Sequence, residues 1–133
     1  MDVIEVLEMD YARFPENQTY DIYARDVYFK DPMNEFRGLE RYKRMIRFIQ
    51  TWFRCVEMEV HSLEQEGDRI QVDWTLSWNT PLPWQPRIQI PGRSELELNA
   101  EQKIIRHVDF WDISRWDVVK QHFSQSASPR VSQ

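Results

Sequence analysis

The second half of the chain alternates apolar and polar residues with a period of two, and this pattern constrains the fold more than any other feature. Residues 56–60 and 69–78 each place large apolar side chains on one face and polar ones on the other, as strands do when one face is buried. Residues 66–68 (Glu-Gly-Asp) supply a tight hairpin turn between them. Residues 86–98 and 103–112 add two more strands, so the pattern predicts a four-stranded antiparallel run with short connections.

The first half of the chain has helical periodicity instead. Apolar residues recur at helical spacing from Val3 to Phe14, and Pro15 ends the run. A second stripe, from Tyr42 to Phe53, needs an apolar partner, which the strands provide. The predicted elements of this half are helices over residues 2–14, 20–25 and 39–54 and a strand over residues 26–32.

These elements predict an α+β fold in which a cone-shaped, curved antiparallel (mixed) sheet wraps around N-terminal helices. A chain of 133 residues is most simply one domain, here residues 1–123, with residues 124–133 a disordered tail. A short helix over residues 116–123 closes the domain. Residues 79–85 are too rich in proline for a central strand and predict a stiff loop over the mouth of a hollow inside the cone.

Charge and cysteine content narrow the functional classes. The chain has one cysteine, Cys55, and no basic leader or long apolar stretch, which favours an unprocessed cytoplasmic protein. The net charge is −5, yet residues 36–54 carry six bases against one acid. This basic patch is either a solvated helix face, the commoner case, or a site for an anionic partner. We expect no nucleic acid partner, no membrane, no cofactor and no metal, since the three histidines lack ligand spacing.

Asp31 is the first candidate site residue. With a period of two it shares a strand face with Val27 and Phe29, and an inward carboxylate must be paired, protonated or open to a cavity. The alternative is that Asp31 only caps the turn begun by Pro32, which is the commoner role of an aspartate before proline.

The last strand, residues 103–112, has no cleanly apolar face. If its odd-numbered residues face the hollow, His107 and Asp109 stand about 7 Å apart along the strand, where they can share protons. The even-numbered Ile104, Val108 and Phe110 then form an outer apolar strip that a second subunit would cover, which predicts a homodimer. The rival interpretation of His107 is an ordinary structural histidine.

Taken together, these features resemble the nuclear transport factor 2-like superfamily, which includes ketosteroid isomerases and SnoaL-like polyketide cyclases. The likeness covers about residues 2–123 and rests on the strand ending in Asp31-Pro32, the basic helix, the long strands and the closing Lys-Ile-Ile-Arg-His-x-Asp-x-Trp-Asp. It implies a roll with an internal pocket. Asp31 matches the isomerases' general base, while His107, Asp109 and Trp111 match pocket positions of the last strand.

The resemblance also marks departures from the isomerases. Ser94 stands where they have the second acid of the oxyanion site, and Tyr11 corresponds only loosely to their helix tyrosine. A narrower likeness, to an uncharacterised family of cyanobacteria and plant plastids, rests on residues 79–84, 90–96 and 114–123. It suggests a photosynthetic organism as the source.

Two functions of different classes follow from the sequence. The first is cofactor-free acid-base catalysis, of the isomerase or cyclase type, on a small hydrophobic substrate, with Asp31 or Asp109 moving the proton and His107 as partner. The second is a non-catalytic dimer that binds a ligand in the pocket or recruits a protein partner. The predicted pocket residues are Tyr11, Phe29, Trp52, Trp74, Trp78, Ser94 and Trp111.

Overall fold

A computed structural model of the chain describes residues 2–123. The tail predicted over residues 124–133 lies outside the described residues. The helices are α1 (Val3–Ala12), α2 (Leu39–Trp52) and α3 (Arg115–Gln121), with a 3-10 turn at Tyr20–Ile22. The strands are β1 (Tyr23–Lys30), β2 (Glu35–Arg37), β3 (Arg54–Glu66), β4 (Arg69–Asn79), β5 (Arg87–Leu98) and β6 (Ile104–Trp111).

All six strands form one mixed sheet in the order β2-β1-β6-β5-β4-β3. Neighbouring strands are antiparallel except β1 and β6, which run parallel and place Phe29 opposite His107. The predicted class, an α+β fold with a curved sheet around N-terminal helices, is confirmed. The first strand of the chain therefore lies beside the last one, at the centre of the sheet.

The core lies between the inner face of the sheet and the helices. Its sheet side comes mainly from alternate residues of two long antiparallel neighbours, β4 and β5, because successive side chains of a strand point to opposite faces. Tyr42 and Ile46 supply the buried stripe of α2, and Leu7 and Tyr11 that of α1. The buried apolar residues of β4 and β5 are Ile70, Val72, Trp74, Trp78, Ile88, Ile90, Leu96 and Leu98.

Two local predictions for the region before α2 are wrong. Residues 20–25 were expected to be helical, but only a 3-10 turn forms and β1 begins at Tyr23. Tyr23 pairs with Ile104 of β6, so tertiary hydrogen bonding overrides the weak local helical pattern. The predicted loop before Gly38 contains β2, whose Phe36 ring stacks on Phe29 at 5.1 Å between centroids.

The predicted outer apolar strip of β6 is wrong at Ile104. The pairing register shifts at the start of β6, since Glu97 pairs with Arg106 but Leu98 pairs with Ile104. This bulge turns Ile104 into the core, where it is fully buried. Val108 is also buried, and Phe110 alone of the three stays exposed, at 37%. The homodimer itself remains a prediction.

Register shifts also change the face of β3, an edge strand. The pairing with β4 shifts between Arg54 and Glu57 and again between Val60 and Ser62. Val60, predicted to face the core, pairs with the core residue Trp74 but is 37% exposed at this edge of the sheet, while Leu63 after the second shift packs against the core. Bulges are common on edge strands, where they disrupt further pairing.

Candidate functional site

The concave face of the sheet and the three helices enclose a cavity of about 980 Å³. This volume is at the upper end of the range of roughly 300–1,000 Å³ found for small-molecule sites. Most of the wall is apolar, as in sites that bind small organic molecules. Apolar wall residues include Leu7, Phe29, Met45, Ile46, Ile49, Met58, Trp74, Leu76, Trp78, Ile90 and Trp111.

A hydrogen-bonded polar group interrupts this apolar wall on β5 and β6. The strand register places Ser94 opposite Asp109, and the Ser94 hydroxyl donates to Asp109 Oδ1 at 2.5 Å. His107 lies two residues earlier on the same face of β6, and its Nε2 is 2.8 Å from that same oxygen. Ser94 and His107 therefore fix the carboxylate from two sides. Within residues 2–123 the second oxygen, Oδ2, accepts no protein hydrogen bond, so it is available to a ligand.

Ser94 is the junction of this group. Its hydroxyl accepts a hydrogen bond from Trp74 Nε1 at 2.9 Å and donates to Asp109 Oδ1. A serine hydroxyl has one proton to donate, so its donor capacity is fully used by Asp109. Ser94 is itself 2% exposed.

On the side of His107, the hydroxyls of Tyr23 and Tyr42 extend this hydrogen-bonded group. Tyr23 Oη is 3.5 Å from His107 Nδ1 and 3.1 Å from Tyr42 Oη. With the Nε2 proton assigned toward Asp109, Nδ1 of the neutral ring is an acceptor, so Tyr23 donates to it across a long bond. Burial raises the pKa of Tyr11, Tyr23 and Tyr42. All three therefore stay neutral donors in ordinary buffers.

Asp31 lies on the cavity wall but its carboxylate is engaged in a turn. Oδ1 accepts the backbone N–H of Met33 at 2.8 Å and of Asn34 at 2.6 Å, and the Asn34 side-chain amide also donates to it. Partial burial raises the pKa of Asp31, while these hydrogen bonds oppose the shift. The turn-capping role expected for an aspartate before Pro32 is thus present. No hydrogen bond in the described part of the chain joins Asp31 to His107 or Asp109.

The structure brings together most of the predicted site residues and leaves one outside. The prediction for Trp52 is wrong, because this last residue of α2 is 48% exposed and does not line the cavity. Phe53, the next residue, takes the inner position and stacks on Trp78 at 4.3 Å between centroids. The predicted residues that do line the cavity are Tyr11, Phe29, Asp31, Trp74, Trp78, Ser94, His107, Asp109 and Trp111.

Sequence reasoning missed two of the phenols. Tyr23 lies in the segment that the sequence predicts to be helical, and Tyr42 belongs by its spacing to the apolar stripe of α2. Their polar tips meet only because β1 pairs with β6, which brings Tyr23 beside His107. No local pattern in the sequence carries that information.

The mouth of the cavity is also formed differently from the prediction. Residues 79–85 do not line the cavity, whereas Arg115, Trp116 and Val119 of α3 do. The proline-rich loop instead supports α3 from outside, and Trp84 Nε1 donates to the His122 carbonyl at 2.6 Å. Ser114 caps α3 through a capping box with Asp117, which fixes where the helix starts.

Within residues 2–123, no group of three or more His, Cys, Asp or Glu side chains is arranged to hold a metal ion. None of the described helices combines the length and the apolar character needed to cross a lipid bilayer.

Comparisons with known proteins agree with this geometry at the level of the fold. The family model described as "Uncharacterized conserved protein (DUF2358)" matches residues 1–107. No functionally curated protein matches the chain. Among solved structures, a nuclear transport factor 2-like protein from Burkholderia thailandensis has 13% identity and a TM-score of 0.74, over 91% of this chain and 96% of that chain.

Two other solved structures carry enzyme names. An LEH-like epoxide hydrolase from M. tuberculosis has 16% identity and a TM-score of 0.68, over 89% of this chain and 86% of that chain. A putative SnoaL-like polyketide cyclase from Jannaschia has the same identity and TM-score, over 82% and 84%. At such identities the likeness establishes a nuclear transport factor 2-like fold.

Proposed function

The chain belongs to the family of uncharacterized conserved proteins termed DUF2358, and we propose that it binds a small hydrophobic molecule in its cavity and acts on it by acid-base catalysis. The reaction needs no cofactor. Asp109 is the proposed proton acceptor, and His107 and Ser94 are the groups that position it. This reassigns the proton transfer from Asp31, whose carboxylate is occupied by the turn.

The observation that supports the proposal is the half-engaged carboxylate of Asp109. One oxygen is held by two donors, at 2.5 and 2.8 Å, and its side chain is 19% exposed toward an otherwise apolar cavity. A structural carboxylate would satisfy both oxygens inside the protein. A catalytic base instead needs a fixed orientation and one free oxygen within reach of the substrate.

The chemistry proposed is the transfer of a proton within one substrate. Asp109 Oδ2 takes a proton from a carbon next to a carbonyl and returns it to another carbon, so atoms and charge balance over the cycle. Between the two steps Asp109 is the neutral carboxylic acid and the negative charge lies on the enolate oxygen of the substrate. His107 and Ser94 keep the Asp109 side chain in the orientation needed for the second transfer. Fold neighbours named as an epoxide hydrolase and a polyketide cyclase also act, by their names, on small organic molecules.

Proton exchange in heavy water tests this proposal without knowledge of the natural substrate. A panel of small cyclic ketones and enones is incubated with the protein in deuterated buffer, and exchange is followed by NMR. The expected result is exchange that Asp109→Asn lowers by about 100-fold, the lower end of general acid-base contributions. Asp112→Asn, an exposed acid just after β6, is the matched control and leaves the rate unchanged. Equal exchange by wild type and Asp109→Asn would reject the proposal.

A second candidate is the non-catalytic dimer that binds a ligand or recruits a partner through the outer face of the sheet. The observation in its favour is Phe110, which is 37% exposed on β6. The guanidinium of Arg93 lies 4.4 Å from its ring centroid, so the exposed apolar area is small. Sedimentation of wild type and Phe110→Ser tests this candidate, because an interface on this face predicts a dimer that the variant weakens.

The source and the compartment complete the proposal. We place the protein in a photosynthetic organism, on the sequence likeness of residues 79–84, 90–96 and 114–123 to a family of cyanobacteria and plastids. Its proposed compartment is the cytoplasm, because a single cysteine, Cys55, cannot form an intramolecular disulfide and so gives no sign of an oxidising environment. Identification of a ligand that purifies with the protein, by native mass spectrometry, tests the ligand class directly.

A further inference from the structure

A basic depression lies beside the mouth of the cavity, at the first turn of α2. It has a volume of about 530 Å³. Five cationic side chains and one anionic side chain line it, a net formal charge of 5 − 1 = +4, in a protein whose total is −5. The charged lining residues are Arg25, Arg37, Glu40, Arg41, Lys43 and Arg44.

Much of this positive charge is not neutralised by the protein. Glu40 pairs with Lys43 at 3.5 Å, and Arg37 donates to the Asp26 carbonyl. Arg25, Arg41 and Arg44 make no hydrogen bond or ion pair with any residue in the described range 2–123. Three guanidinium groups are therefore available to an anion, and guanidinium binds carboxylate and phosphate oxygens through paired N–H donors.

Arg41 connects the depression with the cavity, since it lines both. Beside it, the rim of the mouth is apolar and solvent-exposed. Met33 is 64% exposed and Phe48 is 57% exposed, and both line the cavity. A continuous surface thus leads from the apolar interior, over an apolar rim, past Arg41 to the basic depression.

We propose that the natural ligand is an amphiphile with a hydrocarbon part inside the cavity and an anionic head group, carboxylate, phosphate or sulfate, in the basic depression. Arg41 sits at the junction of the two parts. A neutral hydrocarbon would not bind more tightly because of the basic depression, and a free inorganic anion would not bind more tightly because of the apolar cavity. This inference deepens the proposed function, on which it rests only in that both use the same cavity.

Calorimetric titration with three probes tests the inference. The probes are dodecyl phosphate below its critical micelle concentration, dodecanol and inorganic phosphate. Dodecyl phosphate should bind at least about tenfold more tightly than dodecanol, because hydrogen bonds to charged groups are the strong ones. Inorganic phosphate should bind more weakly than either. Equal affinity for the two dodecyl probes, or inorganic phosphate binding as tightly as dodecyl phosphate, would overturn the inference.

Variants locate the head group. Arg41→Gln should weaken dodecyl phosphate binding about tenfold and leave dodecanol binding unchanged. Arg69→Gln, an exposed arginine at the start of β4 that lines neither site, is the matched control and should change neither affinity. A loss of affinity for both dodecyl probes in Arg41→Gln would refute the assignment of the head group to this depression. Circular dichroism checks that each variant is folded.

The amphiphile proposal and the proposal of acid-base catalysis can be refuted independently of each other. Binding is measured without turnover, and proton exchange is measured on neutral ketones without an anionic head group. If exchange depends on Asp109 while dodecyl phosphate shows no preference over dodecanol, the amphiphile is wrong and the catalytic proposal stands. If dodecyl phosphate binds as expected and no exchange occurs, the protein is an amphiphile carrier.

Discussion

Replacement of Ser94 by alanine should destabilise the protein far more than the loss of one small side chain suggests. The Ser94 hydroxyl joins Trp74 and Asp109 in one hydrogen-bonded group. Alanine fills the same backbone position without strain, so the change removes the hydroxyl and little else. Two polar atoms lose their shared partner at once.

The size of the destabilisation depends on which hydrogen bonds Trp74 and Asp109 keep after the substitution. Trp74 is 4% exposed and Nε1 has Ser94 as its hydrogen-bond partner, so the buried N–H is left unsatisfied at a cost of about 1–3 kcal/mol. Asp109 keeps the bond from His107 and loses one donor, worth about 1 kcal/mol. The expected total is about 2–4 kcal/mol, which lowers the melting temperature by on the order of 10 °C for a domain of this size.

Urea unfolding followed by far-UV circular dichroism measures this cost independently of tryptophan fluorescence. The matched control is Ser77→Ala, a serine of β4 that is also buried, at 7% exposure. Its hydroxyl takes no part in the group around Asp109, so no buried partner is left unsatisfied and the cost should be clearly smaller than that of Ser94→Ala, about 1 kcal/mol or less.

A double-mutant cycle gives the decisive result. Trp74→Phe removes the indole N–H, so Ser94→Ala in that background should cost at least about 1 kcal/mol less than in the wild type. If the two changes are additive within about 0.5 kcal/mol, the hydrogen bond between the two side chains contributes nothing, and the description of Ser94 as a junction is refuted.

Three further predictions concern other positions. Gly92→Ala should destabilise the protein by about 2 kcal/mol or more in thermal unfolding, because the new methyl group would lie 2.4 Å from the Phe110 carbonyl oxygen and 2.9 Å from the Trp74 ring; unchanged stability would contradict this. The raised pKa of Asp31 means that stability from this group is present at acidic pH and is lost as the pH rises through its folded pKa. Asp31→Asn should therefore gain stability relative to wild type between pH 3.5 and pH 7, measured by urea unfolding at both; a constant difference would argue against it. Trp52→Ala should leave dodecyl phosphate affinity unchanged, since this ring lies outside the cavity wall; a clear loss in calorimetry would place it in the site.

The sequence predicts the fold well where each element is long and strictly periodic. The strands β4 and β5 and the helix α2 are examples, because their inward-facing positions recur at regular spacing along the whole element. Prediction fails where a bulge shifts the alternation of inward and outward residues, as at Ile104. It also fails where strand pairing overrides the local helical preference, as at Tyr23. Neither event leaves a local signal, since both depend on which strand becomes the neighbour.

For the candidate site, the sequence predicts the polar residues that face inward but does not predict their hydrogen-bond partners. Asp109 and His107 are conspicuous in the sequence because they interrupt an apolar strand. Their relation to Ser94 and Tyr23 depends on strand register across long stretches of chain. The turn that engages Asp31 is local, and the sequence offered it as one of two roles for this residue. A sequence shows that polar residues face inward, whereas their hydrogen-bond partners emerge only from the assembled sheet.

The parallel pairing of β1 with β6 has a consequence for biosynthesis. Strand β1 (residues 23–30) can form its parallel pairing with β6 only after residues 104–111 have been synthesised. Long-range pairings of this kind form late and slowly. The strand that arrives last also brings His107 and Asp109. A ribosome-bound chain shorter than about 110 residues therefore lacks β6, and the hydrogen-bonded group on the cavity wall cannot form until this strand has been made.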